Sequence, residues 1–367
     1  MGAHAHAGTR AHSGHPSVET SKRGSAQRFE PGSPRVLVAG ATGFAGALAA
    51  HLLWRHPGFE LAAVTGRSEV GRRLDDVYPR YRVPLPVEEL DAERIGDAID
   101  AAIVAYPHAA AAPTVGTLLE RGVRVVDLSA DFRLSQLAVY EHWYGAHPRP
   151  DLIEEAIYGL PELHRDRIAR AAIVANPGCY PTAAVLALAP LARAGLIADV
   201  VIDAKQGISG AGRTAETEIT HLSYTGENII PYSVAGHRHT PEIEEQMTHL
   251  AGRESSRIQF QPHLVPLDQG EMVSCYVSPV RDVAREELAE LYRSAYEAEP
   301  FVEVVGAPPG VREVRETNFC RIFAAADGHT GKLLVFSVID NLWKGTSSQA
   351  IQNLNIMFDR PETEGLL

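Results

Sequence analysis

A strand, a glycine-rich turn and a helix follow one another near the start of the chain. No other stretch restricts the fold as much. Arg35-Val36-Leu37-Val38-Ala39 reads as a short buried strand, Gly40-Ala41-Thr42-Gly43-Phe44-Ala45-Gly46 as the turn, and Ala47 to Trp54 as the helix. The spacing is G-x-x-G-x-x-G. It allows a tight turn, a close approach of backbone to a pyrophosphate, and close packing of helix on strand. The helix N-terminus adds a field that favours phosphate. Gly40, Thr42, Gly43, Phe44 and Gly46 are therefore candidate dinucleotide contacts.

The pattern continues as expected for a mostly parallel sheet. Further strand runs are Glu60 to Thr65, Ala101 to Ala105 and Val123 to Leu128, with a helix through Leu119 between the last two. Strands alternating with helices place ligands beyond the carboxyl ends of the strands. Gly66-Arg67-Ser68 ends the second strand, where an NAD-selective site often carries Asp or Glu. A cation and a hydroxyl suit a 2′-phosphate, so Arg67 and Ser68 point to NADP. Pro107, His108, Ser129 and Asp131 fall at other strand ends. Arg133 reads either as an anion anchor or as a loop cap. Tyr140 to Pro150 reads as a surface excursion, and Arg165 to Arg170 as helix-like.

Cys179 lies between a strand-like run, Ala171 to Val174, and an Ala/Leu-rich helical run, Ala183 to Leu191. Pro177 and Gly178 shape the turn before it. Amides at the start of the helix are expected to face the sulfur and lower its pKa. The bland alternative is an inert buried thiol.

In the second half, Lys205-Gln206-Gly207-Ile208-Ser209-Gly210-Ala211-Gly212-Arg213 follows a strand at Val200 to Ala204. It reads as a phosphate cradle or a mobile connection, with Ser209, Gly210, Lys205 and Arg213 as candidate substrate contacts. His237-Arg238-His239 precedes a helix with Thr240 as N-cap and Pro241 at the first helical position. An extended stretch there puts both histidines on one side and Arg238 opposite. The pair lacks a third spaced ligand and is not a metal motif. A histidine with a distant cysteine is a base and nucleophile arrangement.

Ile258 to Pro266, Gly270 to Val277, Arg321 to Ala326 and Lys332 to Ile339 read as strands, and Glu286 to Ala298 as a helix. Together they suggest an α+β domain whose sheet covers the cleft or meets a second subunit. Cys275 reads as packing, and Cys320 opens a strand and is expected to come nearer the site. Ser347 to Phe358 reads as a helix returning to the first domain. The expected division is a disordered tail over 1–33, a Rossmann-type NADP-binding domain of 34–178 plus 341–367, and a mixed-sheet catalytic and oligomerisation domain of 179–340.

Bulk properties narrow the classes. The chain has 367 residues, 45% apolar composition and a formal net charge of -12, which disfavours nucleic acid and anionic membranes as partners. Three widely spaced cysteines, Cys179, Cys275 and Cys320, suit a reducing cytosol better than a disulfide framework. No apolar run approaches membrane-spanning length, and the N-terminus has no signal-peptide core. Four tail histidines, His4, His6, His12 and His15, are at most a weak chelator.

The motifs in sequence resemble one family. They are Gly40-Ala-Thr-Gly43-Phe-Ala-Gly46, Ser129-Ala-Asp-Phe-Arg133, Tyr158-Gly-Leu-Pro161-Glu, Asn176-Pro-Gly-Cys179-Tyr-Pro-Thr182, Ser209-Gly-Ala-Gly-Arg213, His237-Arg-His239-Thr-Pro-Glu242 and Asp340-Asn-Leu-Trp-Lys-Gly345. The chain resembles the N-acetyl-gamma-glutamyl-phosphate reductases, within the aspartate-semialdehyde dehydrogenase group, over about residues 34 to 367. Phe44 stands where tyrosine is frequent, and Ser347-Ser348 replaces smaller residues. The resemblance implies NADPH-dependent reductive dephosphorylation of N-acetyl-L-glutamyl 5-phosphate through a Cys179 thioester, in a homodimer or homotetramer. It implies a general base within the His237/His239 pair, cofactor contact near Asn341, and Arg238, Arg213 and Lys205 as candidates for phosphate or carboxylate. Other acyl-phosphate reductases, acting on aspartyl phosphate or carrier-linked aminoadipyl phosphate, are the alternative. A silent nucleotide-binding regulator is the alternative of another class.

Overall fold

The computed structural model describes residue 27 and residues 29–91, 98–213, 217–252 and 257–367. The histidine-bearing part of the tail lies outside the described residues. The end of the tail does not. The Gln27 amide donates to the Leu53 and Phe59 carbonyls, and the Glu30 N–H bonds the Pro57 carbonyl, so the expected tail is drawn several residues too long.

Among the described residues, the first domain is built on seven strands: β1 (Arg35–Ala39), β2 (Glu60–Thr65), β3 (Val87–Glu88), β4 (Ala101–Val104), β5 (Arg124–Asp127), β6 (Ala156–Tyr158) and β7 (Ile173–Ala175). Their order is β3-β2-β1-β4-β5-β7-β6, and every pairing is parallel. Both faces are covered, as a parallel sheet requires. Val36 and Val38 feed one core, with Leu48 and Leu53 of the helix Phe44–Arg55. Leu37 and Ala39 feed the other, with Val115 and Leu118 of the helix Ala112–Leu119. Strand order reverses beside β1, where an open parallel sheet leaves its ligand crevice.

Glycine is required at two places in that crevice. Gly40 has φ +90, and a Cβ there would lie 2.5 Å from the Ala105 carbonyl oxygen. A Cβ on Gly46 would collide with the Gly40 carbonyl, so the helix packs against its own turn only without one.

The described residues of the second domain hold seven more strands: β8 (Ile197–Gln206), β9 (Ile230–Pro231), β10 (Arg257–Leu264), β11 (Glu271–Pro279), β12 (Val302–Val304), β13 (Cys320–Ala326) and β14 (Leu333–Ile339). Their order is β12-β13-β14-β11-β8-β10-β9, with parallel β10/β8 and β12/β13 pairs among antiparallel ones. This is the mixed sheet expected.

Two helices set the position of the site. The helix Cys179–Arg193 is buried from Tyr180 to Ala192 and packs on β11, β14 and the helix Thr240–Ala251. A helix apolar all round needs such a fully covered position. Pro181 falls in its first turn, where the missing N–H has no intrahelical role. The helix Ser348–Met357 places Ala350, Ile351 and Leu354 in the core of the first sheet. The segment before it, Trp343–Ser347, is a π-helical turn rather than the start of the α-helix.

The stretch Tyr140 to Pro150 is not simply a surface excursion. It begins inside the helix Leu137–Tyr144, where Tyr140 is fully buried and its hydroxyl donates to Asp131 at 2.7 Å.

Candidate active site

A cavity of about 480 Å³ lies where the two domains meet, and Cys179, Gln206, Gly210, His237, Arg238 and His239 are on its wall. Cys179 is the first residue of its helix, with Gly178 as an extended N-cap (φ -66, ψ 156). The Gln206 side-chain amide donates to the sulfur at 2.9 Å. On another side, a Cβ added to Gly345 would lie 2.8 Å from the Cys179 Cβ, so the π-helical turn presses on the cysteine.

The thiol pKa moves opposite to expectation. The Tyr180 N–H and Gln206 pull it down, but burial and the Glu271 carboxyl outweigh them and hold it well above the ordinary value. A helix start alone does not make a thiolate when the sulfur is desolvated and an acid stands beside it.

The histidines are also neutral. Burial, then Arg238, lowers His237 to about 4, and burial with His237 and the Arg133 and Arg238 cations holds His239 well below 6.5. Neither therefore supplies a positive charge to a thiolate at neutral pH. The rings lie 4.9 Å apart, and His237 Nδ1 accepts the His239 backbone N–H at 3.1 Å. His239 stands nearer the cysteine turn: its Nε2 lies 2.8 Å from where a Gly178 Cβ would sit, and its buried Nδ1 has no hydrogen-bond partner among the described residues. His239 itself is the helix N-cap, in αR conformation, so the helix begins one residue earlier than expected. The resulting turn brings Arg238 to the same cavity rather than opposite. Its guanidinium approaches the His108 ring at 3.3 Å and lies 5.7 Å from the Tyr144 ring centre.

The lowered His237 pKa has a consequence for stability. The unfolded chain protonates its histidines near pH 6.5, whereas the folded site resists until about pH 4 at His237. Between those values the unfolded state binds more protons, so stability is lost as pH falls through the window. Tm should drop from pH 6.5 to 4 by less in a His237→Gln variant than in the parent. Parallel Tm curves for the two proteins would contradict this.

Arg133 resolves as a structural cap. Its Nε and Nη2 donate to the Asn176 and Leu128 carbonyls at 2.8 and 2.7 Å, and Nη1 faces Glu242 at 3.5 Å. Glu242 is 1% exposed, and its Oε1 accepts from the Gly178 N–H and the Tyr158 hydroxyl, both at 2.9 Å. It thus holds the residue before the cysteine. Sequence reasoning used Glu242 only as part of a motif.

Several expected contacts lie elsewhere. Lys205 is on β8 next to Gln206, and adjacent strand residues face opposite sides. With Gln206 turned to Cys179, Lys205 faces away and pairs with Asp203 at 2.5 Å. Arg213 crosses to the nucleotide loop, donating to the Thr42 carbonyl at 2.9 Å and pairing with Glu69 at 3.1 Å. Asn341 and Ser209 are buried on each other. The Asn341 amide donates to Ser209 Oγ at 3.0 Å, and its oxygen accepts the Gly270 N–H at 2.7 Å. The loop at Ile208–Ala211 is a 3₁₀ turn, and Gly210 makes room for the Gln206 side chain. Cys320 is fully buried, with Ser337 as its partner at 3.2 Å, away from the cavity.

The nucleotide crevice fits a dinucleotide. Gly43 is the N-cap of its helix and carries no side chain to cover the amides, and the nearest atom to a Cβ there would be the Gly40 oxygen at 3.7 Å. Thr42 Oγ1 and Ser68 Oγ lie 3.2 Å apart at the edge of the crevice. Arg67 lies over the Tyr106 ring at 5.0 Å. Glu69, one residue beyond Ser68, is paired with Arg72 and Arg213 and held below the usual carboxylate range, chiefly by Arg72.

Family models for a semialdehyde dehydrogenase NAD binding domain and a semialdehyde dehydrogenase dimerisation domain match residues 35–171 and 179–341. A relative from Dehalococcoides mccartyi, an N-acetyl-gamma-glutamyl-phosphate reductase, is 46% identical over 332 residues, covering 90% of this chain and 96% of that protein. A reductase of the same name from Desulforudis audaxviator is 46% identical over 340 residues, covering 91% and 98%. The chain belongs to the N-acetyl-gamma-glutamyl-phosphate reductase family.

Among solved structures, aspartate semialdehyde dehydrogenase II from Vibrio cholerae superposes with a TM-score of 0.69 at 18% identity, covering 89% of this chain and 99% of that one. The Candida albicans aspartate semialdehyde dehydrogenase with NADP superposes with a TM-score of 0.66 at 16% identity, covering 89% and 98%. The reductase family therefore shares its two-domain fold with these more distant enzymes. Among the described residues, no helix is long and apolar enough to cross a membrane.

Proposed function

We propose that this chain uses NADPH to convert N-acetyl-L-glutamyl 5-phosphate to N-acetyl-L-glutamate 5-semialdehyde and phosphate, in arginine biosynthesis. The observation that carries the reading is Cys179 at the start of its helix, on the wall of a cavity it shares with His237, Arg238 and His239. The Cys179 sulfur attacks the acyl carbonyl, and phosphate leaves with the electron pair of its C–O bond, giving a thioester. Amides at the helix start are placed to bind the carbonyl oxygen as it gains charge. His239, neutral and nearest the cysteine turn, exchanges a proton with the reacting oxygens. Arg238, with no carboxylate partner among the described residues, anchors an anionic group of the substrate. When bound, NADPH supplies hydride for the thioester carbonyl.

The crevice from Gly40 to Gly46 holds the pyrophosphate, and Arg67 and Ser68 hold the 2′-phosphate. Losing one charge-assisted contact costs roughly 1.5–3 kcal/mol, or about 10- to 100-fold. Arg67→Ala should lower kcat/KM for NADPH by that factor and leave NADH within about twofold. An equal loss with both cofactors would remove the assignment.

The assembly is a homo-oligomer formed through the outer face of the second sheet. Val201 is exposed there, and Phe323 and Phe336 stack at 6.5 Å on β13 and β14. Light scattering showing a monomer at micromolar concentration would sink this reading. Three free thiols suit a reducing cytosol.

Competition among acetylglutamyl, aspartyl and carrier-linked acyl phosphates, with NADPH oxidation as readout, tests the substrate. Preference for aspartyl or carrier-linked phosphate would reassign it within the group. No turnover of any, and no phosphate-dependent NADP reduction by the semialdehyde, would favour the silent regulator.

A further inference from the structure

Glu271 is the first residue of β11 and is fully buried. It lies directly opposite Gln206 in the antiparallel β11/β8 pair. Residues opposite each other in such a pair project from the same face. Gln206 reaches the Cys179 sulfur, so Glu271 projects toward the same thiol. Among the described residues neither carboxyl oxygen of Glu271 has a close hydrogen-bond partner, and the Cys179 thiol is the one donor whose hydrogen bonding acts on it. A buried carboxyl with neither oxygen satisfied is costly and calls for an explanation.

Resting on the reading of Cys179 as nucleophile, we propose that Glu271 is a catalytic residue that takes the Cys179 thiol proton as the sulfur attacks and returns it when the sulfur departs. The surroundings favour a proton shared between the two. Burial pushes Glu271 up to about 8, and hydrogen bonding from the Cys179 thiol pulls the other way. The charged or titratable groups that act on it are Cys179, on the helix, and Asp340, after β14. Tyr180, Tyr232 and Cys320 feel its charge in turn. No lysine, arginine or histidine among the described residues offsets it. His237 and His239 line the same cavity, but neither is among the chief influences on the thiol or on Glu271.

The proton accounting closes. In acylation the thiol proton passes to the Glu271 carboxylate, the S–C bond forms, and the C–O bond to phosphate breaks. After hydride addition, the hemithioacetal oxyanion re-forms the carbonyl, the C–S bond breaks, and the Glu271 carboxylic acid reprotonates the departing thiolate. No proton need enter from solvent for the sulfur half of the cycle.

Acylation then needs the ionised carboxylate. With that carboxyl titrating near 8, the rate should rise with pH through about 8. Single-turnover phosphate release without NADPH should show this limb in the parent chain. Glu271→Gln keeps the shape and removes the proton acceptor; it should lose roughly 100-fold in release rate and the limb with it. Glu271→Asp retains a carboxyl and should keep the limb at a reduced rate. Iodoacetamide alkylation of Cys179, read by peptide mass, needs no substrate. Two coupled groups titrate as a pair, so the parent should show two steps in alkylation rate and Glu271→Gln one. A Glu271→Gln variant with the parent's alkylation profile and a release rate within twofold would overturn the proposal. If the parent fails to release phosphate from acetylglutamyl phosphate at all, the substrate reading falls, and the alkylation profiles still decide the role of Glu271.

Discussion

Cys179→Ser should lower kcat/KM by about 10³-fold or more, since a serine hydroxyl is a much weaker acid than a thiol and a poor substitute for it as nucleophile and as leaving group. That is at least about 4 kcal/mol of transition-state stabilisation. The parent chain, incubated with acetylglutamyl phosphate and no NADPH, should gain one acyl group on the peptide that contains Cys179. Cys275 and Cys320 are 1% and 0% exposed, so neither is open to substrate in the folded chain. A label on either would overturn the covalent assignment. The serine variant should keep its NADPH affinity, because the substitution changes one atom and leaves the Gly40 to Gly46 turn, Arg67 and Ser68 untouched. Loss of cofactor binding together with turnover would mean the substitution acts by unfolding.

Glu242→Ala should be the most damaging substitution that leaves the reacting atoms in place. Glu242 is 1% exposed and Arg133, its partner, has a side chain 9% exposed. Removing one member of a buried ion pair leaves the other charge uncompensated and costs about 3–5 kcal/mol. It also frees the Gly178 N–H and the Tyr158 hydroxyl from their acceptor. Gly178 caps the cysteine helix, so the sulfur shifts against the cavity. A displacement on the order of 1 Å costs roughly 10² in rate. Chemical denaturation and steady-state kinetics check the two halves. Glu242→Gln retains an oxygen for Gly178 and should recover more activity than stability. A loss below about 1 kcal/mol in Glu242→Ala would mean that Arg133 finds other partners among the carbonyls it already caps.

The nucleotide half was legible because its signals are local. Apolar runs of strand length, a glycine turn with a helix behind it, and the alternation of strand and helix all act within a few residues. Phe44–Arg55 and Glu60–Thr65 accordingly fall where the pattern puts them, within a few residues at the ends. The second half was less legible at single side chains. Lys205 was read as part of a glycine loop, yet strand β8 extends through Gln206, and alternation turns the lysine away from the site. Arg213 is a long side chain at a domain junction, and only the packed junction shows that it reaches Thr42. Glu271 had a signal that went unused. It shares the period-two face of Val273, Cys275 and Val277, all buried, where an ionisable residue is out of place.

The sequence by itself determined the two-domain architecture, the dinucleotide turn, the family and the cysteine proposed here as the nucleophile. Each of these depends on residue type and spacing along the chain. The tertiary structure decided the charge states around Cys179 and the residues that hold it. The thiol rises and the histidines fall because of burial and because Glu271 and Arg238 converge from distant segments, with Gln206 pulling the thiol the other way. Desolvation and Coulomb interactions depend on distance in space, which spacing along the chain does not give. The turn around Cys179 marks it as the candidate nucleophile, and the fold around it sets when that thiol carries its proton.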